Sequence, residues 1–432
     1  MMIAAELNWT APAAAFLALS GPGVAFLDSS SPGDFLRAGV SYLCLAPEAT
    51  IVLEDNPYTA LRDWMAAHRP VQLADWPFPF KGGAVGWLGY DIARETAGMM
   101  SRFSPMPGLP GGWFGLYTTI LGFDHATQRL HYLGPAARLA EITARLGTEM
   151  ALPKPPRLDW SAEMSELPYL ARHERLRAYI AAGDIYQANF TFRYSAPRPP
   201  EATLPALHMV LRRLSPAPFA ACIDAGGYGL VSASPERFIR LQADGRVETR
   251  PIKGTAARHP DPALDAENAA TLLASPKERA ENLMITDLLR HDLGQVCSIG
   301  SIEVPELFAV ESFAQAHHLV SAVTGKLRPG LDAFDLLAAT LPGGSITGAP
   351  KRRAMQIIDE LELGPRGAYC GALAWIGFDG AMDSAIIIRT ITATADTLYA
   401  QAGGGITWDS SAPAEYEEAM LKISPLLALG NG

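Results

Sequence analysis

The stretch DSAIIIRTITATADTLYAQAGGGI (residues 383–406) is rich in isoleucine and threonine, which is typical of β-strands. Three upstream segments have the same character: FAACIDA (219–225), YGLVSASPERFIRLQ (228–242) and RVETRPIKGT (246–255). The strands therefore occur in runs that look antiparallel, and predicted helices separate the runs. This arrangement favours an α+β fold, with antiparallel sheets packed against surrounding helices, over a strictly alternating parallel sheet.

Helices are predicted in YLARHERLRAYIAAG (169–183), SPKERAENLMITDLLRHDLGQV (275–296) and APAEYEEAMLKISPLL (412–427). The Pro-rich segment EMALPKPPRLDWSAEM (149–164) is predicted to join two parts of the chain. We expect an N-terminal part over residues 1–150 and a larger C-terminal part over residues 165–428.

The composition argues against several classes of function. The 432 residues are 49% hydrophobic and carry a net charge of −10 without a basic block, so nucleic-acid binding is not expected. No apolar run of about 18 residues is present, so no membrane span is expected. Four scattered cysteines predict neither a zinc site nor a disulfide framework. Glu6 and Asn8 interrupt the apolar N-terminus, which argues against a signal peptide. We therefore expect a cytoplasmic protein.

The helix that begins after Ser275 carries two glutamates with different explanations. Ser275 and Glu278 have the spacing of a capping box, which gives Glu278 a structural role. Glu281 instead shares a stripe with Met284 and Ile285 that should face the core. A carboxylate there must be paired, protonated or bound to a cation. An ion pair with a distant arginine and a metal site explain Glu281 equally well.

The last predicted helix repeats the spacing with Glu415 and Glu418. Glu418 and Lys422 also form an i,i+4 pair, which is ordinary on a solvated helix surface. Two E-x-x-E helices in one chain are nevertheless suggestive. Magnesium prefers one or two protein carboxylates, completed by water and an anionic substrate.

Several further features suit an anionic ligand. LPGGSITGAPK (341–351) places a glycine-rich turn before a helix, and Gly403–Gly405 form a second glycine loop. Arg389 ends an apolar strand, where a guanidinium is expected to meet a negative group. One of His317 and His318 could be packed and the other an acid or base, and their spacing does not separate them. A small polyanion held with Mg²⁺ is indicated, with phosphate and dicarboxylate ligands equally possible.

Seven ordered segments resemble one known family. They are SASPERF, PIKGT, KERAENLMITDLLRHDLG, VPELFAVESFAQAHHLVS, PGGSITGAPKRRAMQIIDELE, YCGALAWIGFDGAMDSAIIIRT and AGGGITWDS. Together they resemble the chorismate-utilising enzymes, which include anthranilate synthase component I, aminodeoxychorismate synthase component I, and isochorismate and salicylate synthases. The resemblance is strong over residues 165–425 and weaker before them. It implies an anthranilate synthase component I-like fold.

Lys253, within PIKGT, distinguishes branches of this family. Anthranilate synthases usually have alanine there, and the lysine form is similar to aminodeoxychorismate synthase component I. The resemblance implies that the lysine attacks C2 of chorismate and expels the C4 hydroxyl, after which ammonia enters at C4. The alternative is an anthranilate synthase component I with an unusual lysine, in which ammonia attacks C2 and pyruvate is released.

The resemblance also implies roles for other residues. Glu281 and Glu418 would ligate Mg²⁺ directly, and Glu278 and Glu415 would act through water. His318 would be an acid or base near C4. Substrate would be bound by Thr255, Ser345, Thr347, Tyr369, Arg389, Gly403 and Gly405. Lys351 matches a position that is expected to be structural.

Outside the catalytic residues, the resemblance implies a ligand and a partner. Asp28 and Ser29 match the tryptophan pocket of some relatives, with aspartate in place of the usual glutamate. His291 and Gln295 replace the usual asparagine and arginine, which we expect to tune the site. No cysteine lies in a G-x-C-x-G setting, so a separate glutamine amidotransferase subunit is expected to supply ammonia.

Overall fold

The computed structural model describes residues 1–30, 39–68, 76–148, 150–312 and 316–430. The α-helices in these ranges are α1 (Pro12–Leu19), α2 (Pro57–Ala67), α3 (Tyr90–Thr96), α4 (Leu139–Leu146), α5 (Glu166–Ala181), α6 (Leu204–Leu214), α7 (Pro262–Ala274), α8 (Pro276–Gly294), α9 (Ala333–Thr340), α10 (Lys351–Leu361) and α11 (Ala412–Leu427). Short 3₁₀ helices lie at Ala136–Arg138, Gly344–Ile346 and Ala428–Gly430.

The strands up to residue 241 are β1 (Met2–Leu7), β2 (Ala25–Asp28), β3 (Val40–Leu45), β4 (Ala49–Leu53), β5 (Gly83–Leu88), β6 (Gly112–Tyr117), β7 (Thr119–Asp124), β8 (Arg129–Pro135), β9 (Ser161–Ala162), β10 (Gln187–Pro197), β11 (Phe219–Asp224), β12 (Gly229–Ser234) and β13 (Arg237–Leu241). The later strands are β14 (Arg246–Thr249), β15 (Ile252–Ala257), β16 (Glu303–Ser312), β17 (Ala316–Lys326), β18 (Gly348–Ala349), β19 (Ala372–Gly377), β20 (Met382–Ile386), β21 (Thr390–Ala393) and β22 (Thr397–Ile406).

Within the described ranges these strands form two antiparallel sheets. The first has the order β1-β8-β7-β3-β2-β11-β12-β21-β22-β10-β18, with β9 beside β10. The second has the order β15-β17-β14-β13-β20-β19-β5-β6-β4, with β16 beside β17. The predicted α+β class with antiparallel sheets is confirmed.

Both sheets contain strands from both halves of the chain. Strand β2 pairs with β11 through Phe26 and Cys222, and β5 pairs with β19 through Trp87 and Leu373. The N-terminal strands therefore continue the sheets that the C-terminal strands begin. The division of the chain at residues 150–165 into an N-terminal and a C-terminal part stays a prediction about the functions of the two parts.

At three points where the sequence pattern predicts one continuous strand, the chain instead passes from one sheet to the other. It crosses at Thr118 between β6 and β7, at 235–236 between β12 and β13, and at 387–389 between β20 and β21. Backbone at a crossing leaves the ladder of its sheet, so its side chains can point into the space between the sheets. Glu236 and Arg389 lie at two of these crossings.

Apolar side chains fill the space around the sheets. Phe26, Leu43 and Phe123 pack in one cluster of fully buried residues, and Trp87 and Tyr117 pack in another. All four cysteines are free and buried. In the part of the chain that the structure describes, no helix combines the length and apolar character needed to cross a membrane.

Candidate active site

Lys253 lies near the start of β15, where that strand is irregular. The register between β15 and β17 shifts between Ile252 and Thr255, and Gly254 has a φ of +86°. A shift of this kind re-aims the side chains beside it. A Cβ on Gly254 would lie 2.8 Å from Oε2 of Glu278, so the absence of a side chain lets α8 approach the strand. The glycine thus places the lysine against the first turn of α8.

The two histidines of β17 have different surroundings. His317 is 2% exposed, with Nδ1 2.7 Å from Ser312 Oγ and Nε2 3.0 Å from Asp265 Oδ1. These contacts use both ring nitrogens in the structure. His318 faces the other way, with Nδ1 3.0 Å from the hydroxyl oxygen of Thr255. His318 therefore lies on the face of the sheet that carries Thr255, and its acid–base role stays a prediction.

Glu278 does not form the predicted capping box. Ser275 Oγ accepts from the backbone N–H of Glu278 at 3.4 Å, but the returning bond is absent. The Ser275 N–H instead donates to Leu272 O at the end of α7. Because α7 and α8 meet at this serine, the Glu278 carboxylate is released from capping and lies against Gly254.

The glutamates of α8 and α11 lie close enough to influence each other. Burial raises the pKa of Glu281, the Lys253 ammonium counteracts this, and the charges of Glu278 and Glu415 add to it. Burial also raises the pKa of Glu415, which accepts a 2.7 Å hydrogen bond from Ser410 Oγ and is raised further by the charge of Glu418. The two E-x-x-E helices therefore place their carboxylates in one region, as the sequence suggested.

Lysines balance this negative charge. Lys422 Nζ lies 2.7 Å from Oε1 of Glu418, which confirms the predicted i,i+4 pair, and also donates to Gly403 O at 3.2 Å. Lys277 Nζ lies 3.9 Å from Oε1 of Glu281. Burial opposes ionisation of Glu418, yet Lys422, Lys277 and Lys253 hold its pKa below the usual range. An ion pair with a distant arginine, one of the two explanations for Glu281, is not formed within the described residues; the partner is Lys277 of the same helix.

The carboxylates fit a magnesium ion that substrate and water help to hold. Among the described residues, no group of three or more His, Cys, Asp and Glu side chains has the arrangement of a complete metal site. Mg²⁺ usually takes only one or two carboxylates and keeps several waters. Glu281, half-buried with a raised pKa, and the more exposed Glu418 match that donor set, and the charge of Lys253 acts on both.

Glu236 is a carboxylate of this region to which the sequence analysis assigned no role. It lies at the crossing between β12 and β13. Burial raises its pKa, and the Lys253 ammonium and a hydrogen bond from Ser345 oppose that rise. The SASPERF motif contained this residue, but only the three-dimensional position beside Lys253 reveals its use.

Arg389 is an enclosed cation at the crossing between β20 and β21. Its φ is +50°, a conformation that is uncommon outside glycine and clusters at functional sites. Burial lowers its pKa. Across the part of the chain that the structure describes, no carboxylate forms an ion pair with its guanidinium. An enclosed guanidinium without a protein anion is suited to an anionic ligand.

The glycine strand β22 packs too closely against β10 for side chains. A Cβ on Gly403 would lie 2.1 Å from Phe190 O, and one on Gly405 would lie 2.5 Å from Nε2 of Gln187. Gln187 is fully buried, and neither of its amide heavy atoms has a hydrogen-bond partner. A buried amide of this kind normally has a partner, so a ligand or water is expected beside it. The sequence analysis did not single out Gln187.

Thr347, Tyr369 and Lys351 are further residues that the sequence analysis named. Thr347 is fully buried and donates to Gly343 O at 2.8 Å, which closes the turn that carries Ser345. Tyr369 is 5% exposed, and burial raises its pKa well above the usual value. Lys351 donates to Asp292 Oδ2 at 2.6 Å, which agrees with a structural role.

Asp28 and Ser29 border a separate cavity of about 210 Å³ between β2, β3, β13, β19 and β20. Asp28 Oδ2 accepts from Arg212 Nε at 2.7 Å and lies 3.3 Å from His208 Nε2. Burial opposes ionisation of Asp28, but His208 and Arg212 hold its pKa below the usual value. The Ser29 N–H donates to Ser41 Oγ at 2.9 Å. The tryptophan pocket stays a prediction.

Comparison with known proteins agrees with this geometry. A family model described as chorismate binding enzyme matches residues 25–428. Aminodeoxychorismate synthase component 1 of Salmonella typhimurium is 41% identical over 396 residues, covering 90% of this chain and 86% of the relative. Anthranilate synthase component 1 of Streptomyces coelicolor is 39% identical over 398 residues, covering 86% of this chain and 77% of the relative.

A solved structure shows the same fold. The crystal structure of anthranilate synthase component I from Streptococcus pneumoniae superposes with a TM-score of 0.79 at 31% identity, over 90% of this chain and 92% of the other. The predicted anthranilate synthase component I-like fold is therefore confirmed.

We predict that Gly254→Ala destabilises the protein more than Gly245→Ala. Both glycines have a φ of +86°, so alanine strains both backbones by roughly 1–2 kcal/mol. At Gly245 the nearest atom to the new Cβ is 3.7 Å away, whereas at Gly254 it is a Glu278 oxygen at 2.8 Å. Urea unfolding should show an additional loss of about 1 kcal/mol for Gly254→Ala. Equal losses would contradict the close approach of α8.

We predict that Glu281→Gln raises the Tm of the protein in EDTA at pH 8 by about 1–3 °C. The folded-state pKa of Glu281 is raised, so ionising it costs stability as the pH rises above its ordinary value of 4.5. The gain should disappear below that value, where the carboxyl is protonated in both states. Glu417→Gln on the exposed side of α11 is the control.

The same variants test the metal site without an activity assay. Excess Mg²⁺ should raise the Tm of the wild type and of Glu417→Gln, because a ligand that binds the folded state stabilises it. Glu281→Gln should lose most of that rise. An equal rise in all three proteins would place Mg²⁺ elsewhere.

Proposed function

The chain belongs to the chorismate binding enzyme family, and we propose that it acts as an aminodeoxychorismate synthase that aminates chorismate at C4 to give 4-amino-4-deoxychorismate. One observation carries the proposal: the Lys253 amine lies where its charge acts on carboxylates from three separate elements, Glu236, Glu281 and Glu418. A primary amine held against acidic groups at an anion-binding site can act as a nucleophile once it has lost its proton.

Anthranilate synthase component I is the alternative activity within the family. A relative with that name is 39% identical to this chain, whereas three relatives named aminodeoxychorismate synthase component 1 are 40–44% identical, so the similarity favours the proposed activity. The placement of Lys253 favours the same activity. An amine at the substrate ring serves a reaction with a covalent lysine intermediate, whereas direct attack of ammonia at C2 needs no such group.

Substrate carboxylates would be bound by one enclosed cation and by backbone groups of the glycine strand. Arg389 would bind the enolpyruvyl carboxylate, because its enclosed guanidinium has no ion pair among the described residues. Backbone groups of Gly403 and Gly405 would approach the same carboxylate, since no side chain intervenes. Tyr369, Thr255 and the Ser345–Thr347 turn would complete the walls.

The chemical step would use Lys253 and two proton carriers. The neutral Lys253 amine attacks C2, the ring double bond shifts, and the C4 hydroxyl leaves as water. Glu236 is suited to supply the proton to this hydroxyl because burial raises its pKa. His318, whose ring is oriented by Thr255, can act on the same side. Ammonia then attacks C4, and the reverse shift releases the lysine from C2.

Mg²⁺, when bound, would neutralise the facing glutamates and fix the ring carboxylate of chorismate. Glu281 and Glu418 would hold it, with Glu278 and Glu415 behind them through water. Lys277 and Lys422 neutralise part of this charge in the protein by itself.

Ammonia would come from a glutamine amidotransferase subunit. The Salmonella relative carries the name component 1, which implies a second component. We expect the complex to work in the cytoplasm, where cysteines remain reduced, in keeping with four free cysteines.

The proposal is tested by incubating the protein with chorismate, Mg²⁺ and ammonium and identifying the product by mass. The expected product is 4-amino-4-deoxychorismate without pyruvate. Fluorescent anthranilate with an equal amount of pyruvate would establish the alternative activity instead.

We predict that Lys253→Ala lowers the rate of C4 amination at least 100-fold, since the covalent route is lost. Lys422→Ala is the matched control, because it also removes one ammonium group that lies beside Glu418. It should weaken substrate or metal binding without changing which carbon is aminated. Unchanged C4 amination in Lys253→Ala would refute the covalent role.

We predict that Arg389→Met raises the KM for chorismate at least tenfold while leaving the Tm unchanged or higher. The variant removes an enclosed cation but leaves no protein carboxylate unpaired. Arg237→Met is the contrasting variant, because Arg237 is paired with Asp383 at 2.9 Å and its loss should lower the Tm. A lower Tm with an unchanged KM for Arg389→Met would contradict the assignment.

A further inference from the structure

Arg366 and Glu362 form a fully enclosed ion pair to which no role has been assigned above. The Arg366 side chain is 1% exposed and that of Glu362 is 6% exposed. Arg366 Nε donates to Glu362 Oε2 at 3.0 Å, and Nη2 donates to Oε1 at 2.7 Å. This is a bidentate pair, and the Tyr90 ring lies 4.5 Å from the guanidinium carbon.

The pair also forms hydrogen bonds to the backbone of neighbouring elements. Arg366 Nη1 donates to Ile346 O at 2.8 Å, and Nη2 donates to Asn189 O at 2.7 Å. Glu362 Oε1 accepts from both the backbone N–H and the hydroxyl of Thr191, at 2.9 and 2.7 Å. Both side chains of the pair are therefore hydrogen-bonded to β10, and the arginine is also hydrogen-bonded to the turn that follows Gly343.

The contacted residues are the direct neighbours of the proposed substrate-binding residues. In the β10–β22 ladder, Asn189 pairs with Gly405 and Thr191 pairs with Gly403. Ile346 lies between Ser345 and Thr347. The connections extend further, because Gln401 Nε2 donates to Arg366 O at 3.0 Å and the Tyr369 N–H donates to the same oxygen at 3.2 Å.

We propose that the Arg366–Glu362 pair is the positioning element of the enolpyruvyl-carboxylate subsite: it fixes the glycine strand, the Ser345–Thr347 turn and Tyr369 relative to one another. The pair does not touch substrate and acts through these elements. The inference rests on the proposed function for the identity of the ligand.

Directional hydrogen bonds explain why an ion pair serves here better than apolar packing. An apolar side chain of similar size fills space but leaves the strand and the turn free to shift by a few tenths of an ångström. The Arg366 guanidinium fixes three acceptor groups at set angles: the Glu362 carboxylate and the carbonyl oxygens of Ile346 and Asn189. The Glu362 carboxylate in turn fixes the donors of Thr191. Such precision matters where backbone groups of glycines form the binding surface.

The test separates positioning from stability. Breaking one partner, as in Arg366→Met, leaves a buried charge and should lower the Tm. The double variant Arg366→Met/Glu362→Met replaces the pair with apolar side chains, which often restores stability. We expect it to recover most of the Tm but to keep a KM for chorismate at least tenfold above the wild type. Recovery of both the Tm and the KM would overturn the proposal.

Milder variants keep the test decisive if the double variant does not fold. Thr191→Val removes one donor to Glu362, and Gln401→Leu removes the bond to Arg366 O. Each should raise the KM for chorismate two- to tenfold with little change in Tm. Thr340→Val removes an equally buried hydroxyl that bonds only within α9, and should leave the KM unchanged. Unchanged KM values in both site variants would overturn the proposal.

Two readouts keep this test distinct from that of the proposed function. Wild-type turnover of chorismate tests the function, whereas the ratio of variant to wild-type KM tests the positioning role, whichever aminated product forms. The Mg²⁺-induced rise in Tm should be the same in wild type and Thr191→Val, because none of the pair's hydrogen bonds among the described residues goes to α8 or α11. A lost rise would indicate general damage to the site and contradict a local role.

Discussion

The crowding of carboxylates around one primary amine is the constraint on which the rest of the site depends. Glu236, Glu281 and Glu415 have raised pKa values because burial disfavours their charge, and Lys253 opposes the rise at the first two. Buried like charges cost stability unless a cation compensates them. Three such carboxylates share this region, and a cluster of this kind is typical of a functional site.

The fold meets this constraint by bringing together elements that are distant in sequence. Lys253 comes from the second sheet, the glycines of β22 come from the first, and the carboxylates come from α8, α11 and a crossing between sheets. Each close approach depends on a residue without a side chain. Gly254 admits Glu278, and Gly404 would place a Cβ 3.0 Å from Oε2 of Glu415. The side chains of Glu278 and Glu415 therefore lie directly against glycine backbone.

Much of this could be predicted from the sequence, because the features concerned are local. The E-x-x-E helices and the Glu418–Lys422 pair follow from spacing and apolar pattern. The negative group that Arg389 is expected to meet stays a prediction, because no carboxylate pairs with it among the described residues. The resemblance to a family supplied the expectations for Lys253. The capping box at Glu278 was wrong because Ser275 also ends the preceding helix, so its N–H was already used.

The residues that were missed depend on contacts between distant segments. Glu236 looks like an ordinary turn residue until the crossing places it beside Lys253. In the sequence, Gln187 resembles any other strand residue. Only the structure shows that its amide is buried beside Gly405 without a hydrogen-bond partner among the described residues. Arg366 and Glu362 have ordinary i,i+4 spacing, and their bonds to β10 and to Ile346 appear only in three dimensions.

The central claim is that Lys253 reaches the substrate ring, and trapping the covalent intermediate tests it most directly. Wild-type protein would be mixed with chorismate and Mg²⁺ without ammonium, quenched in acid, digested and analysed by mass spectrometry. We predict that the peptide containing Lys253 gains the mass of chorismate less one water, because the amine bonds to C2 while the C4 hydroxyl leaves as water. An unmodified Lys253 peptide from protein that turns over chorismate once ammonium is supplied would contradict the account.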